Sequence, residues 1–400
     1  MASTIKVDTI DTPSGSGNIS VNRPLSGSGA SLTSLPAANL TGSIAAIDGN
    51  GLVGISPRNF IIDGDFTQWP TGTSATSVGS GTYVSALMQG YVANTSGTMT
   101  IERSTDVPTI AQSGHQSAYS HLAKCTGADT SLGIDDLALH RYHVTGSDFA
   151  HLHQQQVTVS FWAKTAAANS GDTYALTFHN GTFNRCYVHE FTPTSSWTQF
   201  THTLTLDTSG TWLFTETDKA LVVGISLVGA SGYDDATNDT WGGTNEFSAG
   251  NVDNFYDSTS NEFYMAQFGL YLGSTAPNFT SPSISTVKNQ VDYYVQRYNL
   301  NSSAYETLCG LNCRSGTHAK ATMTLRNELR TSPTVTSSAA STWSVNSGSN
   351  DAAPTTIAFS AGGRTGWNID MTVSSRTTGH SGYLYRTGTN TTFIMFDARH

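Results

Sequence analysis

Apolar and polar residues alternate along much of this chain. Gln156-Val157-Thr158-Val159-Ser160-Phe161-Trp162 and Thr201-His202-Thr203-Leu204-Thr205-Leu206 follow a period of two, the pattern of strands with one buried face. Leu221-Val222-Val223-Gly224-Ile225-Ser226-Leu227-Val228 is more continuously apolar and predicts a deeper strand. Gly, Asn and Asp punctuate these runs, and strands at this spacing predict a sandwich or jelly roll over 58–282. One segment breaks the pattern. Ile284, Val287, Val291, Tyr294 and Tyr298 fall at intervals of three, four, three and four, which predicts a short helix. That helix packs either on its own sandwich or in a three-fold bundle. Further β patterns at 321–325, 333–336, 368–373 and 392–396 predict a smaller β domain, so 283–400 reads as helix plus C-terminal β domain.

Residues 1–57 differ from the rest. Small apolar residues such as Ile5, Val7, Ile10, Leu32, Leu35 and Leu40 are spaced by Gly, Ser, Thr and Asn, and no aromatic residue precedes Phe60. Such a stretch cannot bury enough apolar surface to offset its ordering entropy. It reads as an extended arm that other chains hold in place. The fold class is therefore all-β: an N-terminal arm, a jelly-roll sandwich, a short helix and a smaller C-terminal β domain.

Composition narrows the function. Charged residues are 12% of the chain against roughly 25% in typical domains. The net charge of −10, without a basic run, argues against nucleic acid as the main partner. Residues 1–25 lack the apolar core of a secretion signal, and no run of 18 apolar residues is present, so membrane insertion is not expected. Cys125, Cys186, Cys309 and Cys313 are too few and scattered for a disulfide framework and read as free buried thiols. No cofactor is expected. No nucleophile elbow, P-loop or dinucleotide fingerprint occurs; Gly15-Ser16-Gly17 and Gly27-Ser28-Gly29 are shorter look-alikes.

The arm, with Leu32-Thr33-Ser34-Leu35 and Leu40-Thr41-Gly42-Ser43, resembles N-terminal attachment segments of bacteriophage fibre proteins. Asn59-Phe60-Ile61-Ile62-Asp63-Gly64-Asp65-Phe66-Thr67-Gln68-Trp69 resembles the opening strand of carbohydrate-binding-module-like jelly rolls in phage tail proteins. The segments 159–164, 196–200, 263–274 and 291–298 fit its later strands and following aromatic segment. The resemblance implies a virion protein, made in the host cytoplasm and released by lysis. Its leading form is a homotrimeric tail fibre. Residues 1–57 would bind a virion tail or capsid protein, and the chain would bind a host-surface polysaccharide. A head-fibre, decoration or tail component without receptor binding is one alternative; a tail-associated glycan hydrolase is another.

Sugar recognition needs an aromatic face and planar groups that hydrogen-bond hydroxyls. Two segments supply both. Residues 229–261 carry Tyr233, Asp234, Asp235, Asn238 and Trp241, an oxygen-rich set that also suits Ca²⁺. The distal end carries Trp343, Trp367, His380, Tyr383, Tyr385 and Arg386, with Tyr383 and Tyr385 on one face of a strand, where both stack on a ligand or both belong to the core. His140, His143, His151 and His153 form a local cluster that reads as surface histidines, with a transition-metal site as the alternative.

Two outcomes follow for the arm. Full-length protein should scatter light as a trimer. Deletion of residues 1–57 should leave the β domains folded and abolish incorporation into virions; truncated protein on particles would move the attachment role elsewhere.

Overall fold

The computed structural model describes residues 57–303, 305–348, 350–388 and 391–400. The arm expected over 1–57 lies outside them, apart from Pro57. Strand accounts for 43% and helix for 6%, so the chain is all-β.

The first half holds β1 (Ser74–Ala75), β2 (Thr82–Tyr83), β3 (Met88–Ala93), β4 (Thr98–Ser104), β5 (Ser120–Gly127) and β6 (Leu137–Thr145). It continues with β7 (Gln156–Thr165), β8 (Tyr174–Asn180), β9 (Cys186–Phe191), β10 (Thr198–Thr205), β11 (Lys219–Gly229) and β12 (Glu262–Leu272). These build two six-stranded sheets, in the orders β1-β4-β5-β12-β7-β10 and β2-β3-β6-β11-β8-β9. From β5 to β8 the chain switches sheet at every strand. It doubles back from β8 to β9, then switches at every strand to β12. The quartets β5-β12-β7-β10 and β6-β11-β8-β9 are the two halves of a jelly roll, and β1 to β4 extend both sheets on one side.

Alternation places the core. On β7, Val157, Val159, Phe161 and Ala163 face the opposing sheet, with Leu204 of β10 and Leu270 of β12 in the same cluster. On β11, Leu221, Val223, Ile225 and Leu227 do the same, but Val222 and Ser226 on the other face are also buried. That outer face is covered by 229–261, where Phe247 packs 4.4 Å from the His179 ring. Toward the end of the chain, His400 lies 5.6 Å from the His143 ring. Burial on both faces is why this strand reads as continuously apolar.

The segment resembling an opening strand is a turn. Asp63 sits at φ 57°, and its carboxylate accepts from the amides of Thr67 and Gln68, both at 2.8 Å. This local capping competes with a ladder. A Cβ on Gly64 would stand 1.9 Å from the Phe268 carbonyl oxygen, so only glycine fits.

The expected helix forms over Ile284–Asp292, capped by Ser283, whose side chain accepts from the Thr286 amide. Val287 and Val291 bury in the sandwich's own core. The seam stops short of Tyr298. Val295–Leu300 becomes strand β13 because its backbone pairs with the strand near the end of the chain.

The remaining strands are β14 (Thr307–Ser315), β15 (His318–Thr324), β16 (Thr334–Ser337), β17 (Trp343–Ser347), β18 (Asn350–Ala352), β19 (Thr356–Ser360), β20 (Gly366–Thr372), β21 (Ser381–Arg386) and β22 (Thr392–Asp397). They form sheets β13-β22-β16 and β18-β17-β21-β14-β15-β20-β19 around Trp343, Val345, Ile369, Leu384 and Phe396. Buried Arg330 ties this half to the first, donating to the carbonyls of Thr217 at 2.7 Å and Ala398 at 2.8 Å.

The four cysteines are free, and Cys125, Cys186 and Cys313 are buried. The histidine cluster is not a surface group, and its members do not converge. His140 and His143, three apart on β6, point to opposite faces and are both buried. His140 meets His121 in the core at 4.9 Å. His153 packs against Trp212 and Phe214 in a turn after β6, where His151 is exposed.

These buried rings set an acid response. Burial holds His140 and His179 at about 3, well below the ordinary histidine value, and lowers His121 and His143 too. A depressed folded-state value means stability is present above the unfolded value of about 6.5 and is lost as pH falls toward the folded one. Between pH 6.5 and 5, His140 and His179 should each remove about 2 kcal/mol. Urea midpoints at pH 7 and pH 5 measure this, and a flat profile would contradict it.

Candidate functional site

The 229–261 segment does not stand out as a free loop. It runs beside β9, where Gly242 and Cys186 exchange backbone hydrogen bonds and the Asp239 amide donates to the Val188 carbonyl at 2.8 Å. Asn238 accepts from the Glu190 amide at 2.9 Å. The indole of Trp241 donates to the Thr205 carbonyl at 2.8 Å and packs between Tyr187 and Trp212. Tyr233 packs 5.6 Å from Phe247, in a separate cluster over Leu137 and Leu139. Asp235 is exposed and Asp234 half-buried. The structure thus divides these residues between two places and engages both aromatic rings with protein.

The distal residues divide as well. Trp343 is fully buried, and Trp367 donates to the Gly363 carbonyl at 2.8 Å and packs on Phe396. Arg386 is buried and donates to the Ser303 carbonyl. On β21, Leu384 enters the core, so Tyr383 and Tyr385 lie on the outer face with rings 5.5 Å apart. Tyr305 stands 6.1 Å from Tyr385. Gly310 pairs opposite Tyr383 and carries no side chain to cover it. Exposure is 73% for Tyr305 and 41% for Tyr383, which makes these two rings an open aromatic face, whereas Tyr385 is buried beside them. Asp351 accepts from the Asn346 side-chain amide at 2.8 Å.

The first sheet has its own outer aromatic face, which the sequence reading did not single out as a site. Trp197 donates to Asp106 at 2.9 Å, and the Lys164 ammonium, bonded to the same carboxylate, lies 4.5 Å over Tyr264 and 5.6 Å over Trp197. A cation therefore already stacks on both rings. Alternation was the available signal, since Phe161 inside puts Trp162 and Lys164 outside.

A concave site lies elsewhere. A cleft of about 570 Å³ is walled by Gln68, Trp69 and Pro70 from the early turn, by Lys288, Asn289 and Asp292 from the helix, by Arg297 and Asn299 from β13, and by Arg326. The Trp69 indole donates to the Phe66 carbonyl at 2.6 Å and stacks on His121, which fixes the ring at the wall. Arg326 pairs with Asp292 at 2.9 Å, and Arg297 stacks over Phe393 while donating to Asn299 at 2.7 Å. Burial pushes the Asp292 carboxyl up against the pull of Arg326. The cleft thus joins one indole, three amides and three cations to a single carboxylate. Residues more than two hundred positions apart build it, so no local pattern marks it.

No family model matches the chain, and no curated protein matches it. Among solved structures it is similar to the enzymatically active domain of bacteriophage CBA120 tailspike protein 4, at 10% identity over 54% of this chain, with a TM-score of 0.28. The match spans 21% of that domain. It is also similar to TmCBM61 in complex with β-1,4-galactotriose, at 13% identity, 54% of this chain, 99% of that one and a TM-score of 0.26. A family 11 carbohydrate-binding module from Clostridium thermocellum, in complex with a β-1,3-1,4-mixed-linked tetrasaccharide, gives 11%, 52%, 99% and 0.27. At these scores the jelly-roll assignment rests on the strand order alone.

The two aromatic candidates should respond differently to truncation. Trp241→Ala should lose about 1–3 kcal/mol, since its ring and indole N–H are engaged. Tyr383→Ala should stay within about 0.5 kcal/mol of the parent. Urea denaturation measures both.

Proposed function

We propose that this chain is a bacteriophage tail-fibre protein, a homotrimer that residues 1–57 hold on the virion and that binds a host cell-surface glycan. The cleft carries the reading. Trp69 offers an apolar face for a sugar ring, and Gln68, Asn289 and Asn299 offer planar amides to its hydroxyls. Lys288, Arg297 and Arg326 outnumber Asp292 there, in a chain of net charge −10. A glycan bearing carboxylate or phosphate groups fits this local excess of positive charge. The exposed rings of Tyr305 and Tyr383 are the second surface available to such a ligand.

Adsorption to host cells tests the reading. Lys288→Glu and Arg297→Gln should each keep the parent melting temperature and lower adsorption about ten-fold or more. If only Tyr383→Ala loses adsorption, the tyrosine face is the receptor site. If all three adsorb normally, receptor binding fails and a purely structural virion role replaces it. No reducing sugar should appear when the protein is incubated with host polysaccharide; its release would make the protein a hydrolase.

A further inference from the structure

A third constellation lies at the open edge of the sandwich. His189 is on β9, the edge strand of one sheet, and His202 is on β10, the edge strand of the other. Their rings stack at 3.7 Å. Asp239, from the covering segment, brings one carboxylate oxygen to both: Oδ1 is 2.7 Å from His189 Nδ1 and 3.6 Å from His202 Nε2. The three ligand-type atoms lie within 4.8 Å of one another, the one such grouping among the described residues.

Surrounding groups fix this arrangement. The Tyr187 hydroxyl lies 3.0 Å from His202 Nε2 and 3.4 Å from Asp239 Oδ1. The Asn238 amide donates to the other Asp239 oxygen at 3.3 Å. Asp239 itself sits at φ 59°, in the left-handed region, held by the hydrogen bond its backbone N–H donates to the Val188 carbonyl. A short polar residue tolerates that conformation, and here it aims the carboxylate at the two rings. Side-chain exposure is 14% for His202, 28% for His189 and 47% for Asp239, so an ion can enter from solvent and one side stays open to water.

We propose that His189, His202 and Asp239 bind one divalent transition-metal ion of the Zn²⁺ class. Two imidazole nitrogens with one carboxylate favour such ions over Ca²⁺ and Mg²⁺, which take oxygen donors. Tetrahedral ligands at about 2.0–2.1 Å from zinc stand about 3.3 Å from one another. The carboxylate's two distances, 2.7 and 3.6 Å, bracket that value, and the two ring nitrogens lie within 4.8 Å of each other, so side-chain shifts admit the ion. Water completes the shell. The ion is a clasp: it joins the two edge strands of opposite sheets and pins the 229–261 segment across them.

The test uses the purified full-length chain after EDTA treatment. Titration with Co²⁺ should give one bound ion per chain with visible d–d absorption, and Zn²⁺ should displace it and raise the melting temperature. Asp239→Asn and His189→Gln should each weaken Co²⁺ binding by more than about ten-fold. X-ray absorption on the cobalt-loaded parent needs no variant and should show imidazole scattering. The proposal is overturned if the parent binds no Co²⁺, if both variants bind as the parent does, or if the absorption spectrum shows thiolate ligands without imidazole. Ca²⁺ raising the melting temperature as much as Zn²⁺ would equally overturn it.

Discussion

Burial of both faces of the sheet β2-β3-β6-β11-β8-β9 is the constraint on which the rest depends. A jelly roll needs only its inner face covered. Here the outer face is covered too, by Phe247 and Tyr233 on one part and by His400 on another. The apolar gain explains why a segment rich in Asp, Asn, Gly and Thr lies flat instead of projecting. It also explains why His179 is neutral: burial of its ring outweighs the Glu246 carbonyl 2.8 Å from Nε2, which by itself favours the charged form. The same cover removes that sheet face from contact with any ligand.

The second half depends on this arrangement. Arg330 is buried and donates to carbonyls from both halves. Arg399 reaches the Ala86 carbonyl at 3.0 Å, and the Tyr83 hydroxyl reaches that of His400. Arg330 satisfies the carbonyls of Thr217, Ala398 and Arg399, while Arg399 bonds one carbonyl and the Asp397 carboxylate. Docking the helix and β13 against the early turn creates the cleft, because Trp69 has Lys288 and Arg297 opposite it only in that register. The cleft is thus a product of how the two halves join.

The sequence by itself determined the strand periodicity, and with it the all-β class, the buried set on β7 and β11, and the existence of the helix. Period and packing are linked directly there: an apolar residue at every second position has one face to bury, wherever its partner comes from. The free thiols were legible for a similar reason, since spacing alone ruled out a framework. Only the tertiary structure decided where the aromatic and charged residues face. Whether Trp241 meets solvent or Thr205, whether His140 is surface or core, and whether Tyr383 lies inside or outside depend on which distant strand pairs alongside and what covers it. The helix ended at Asp292 because a ladder with β22, nearly a hundred residues away, outweighed a seam that local spacing continued to Tyr298. The cleft and the His189–His202–Asp239 group are assembled from separate strands, turns and loops, so long-range topology places their members and no local period announces them.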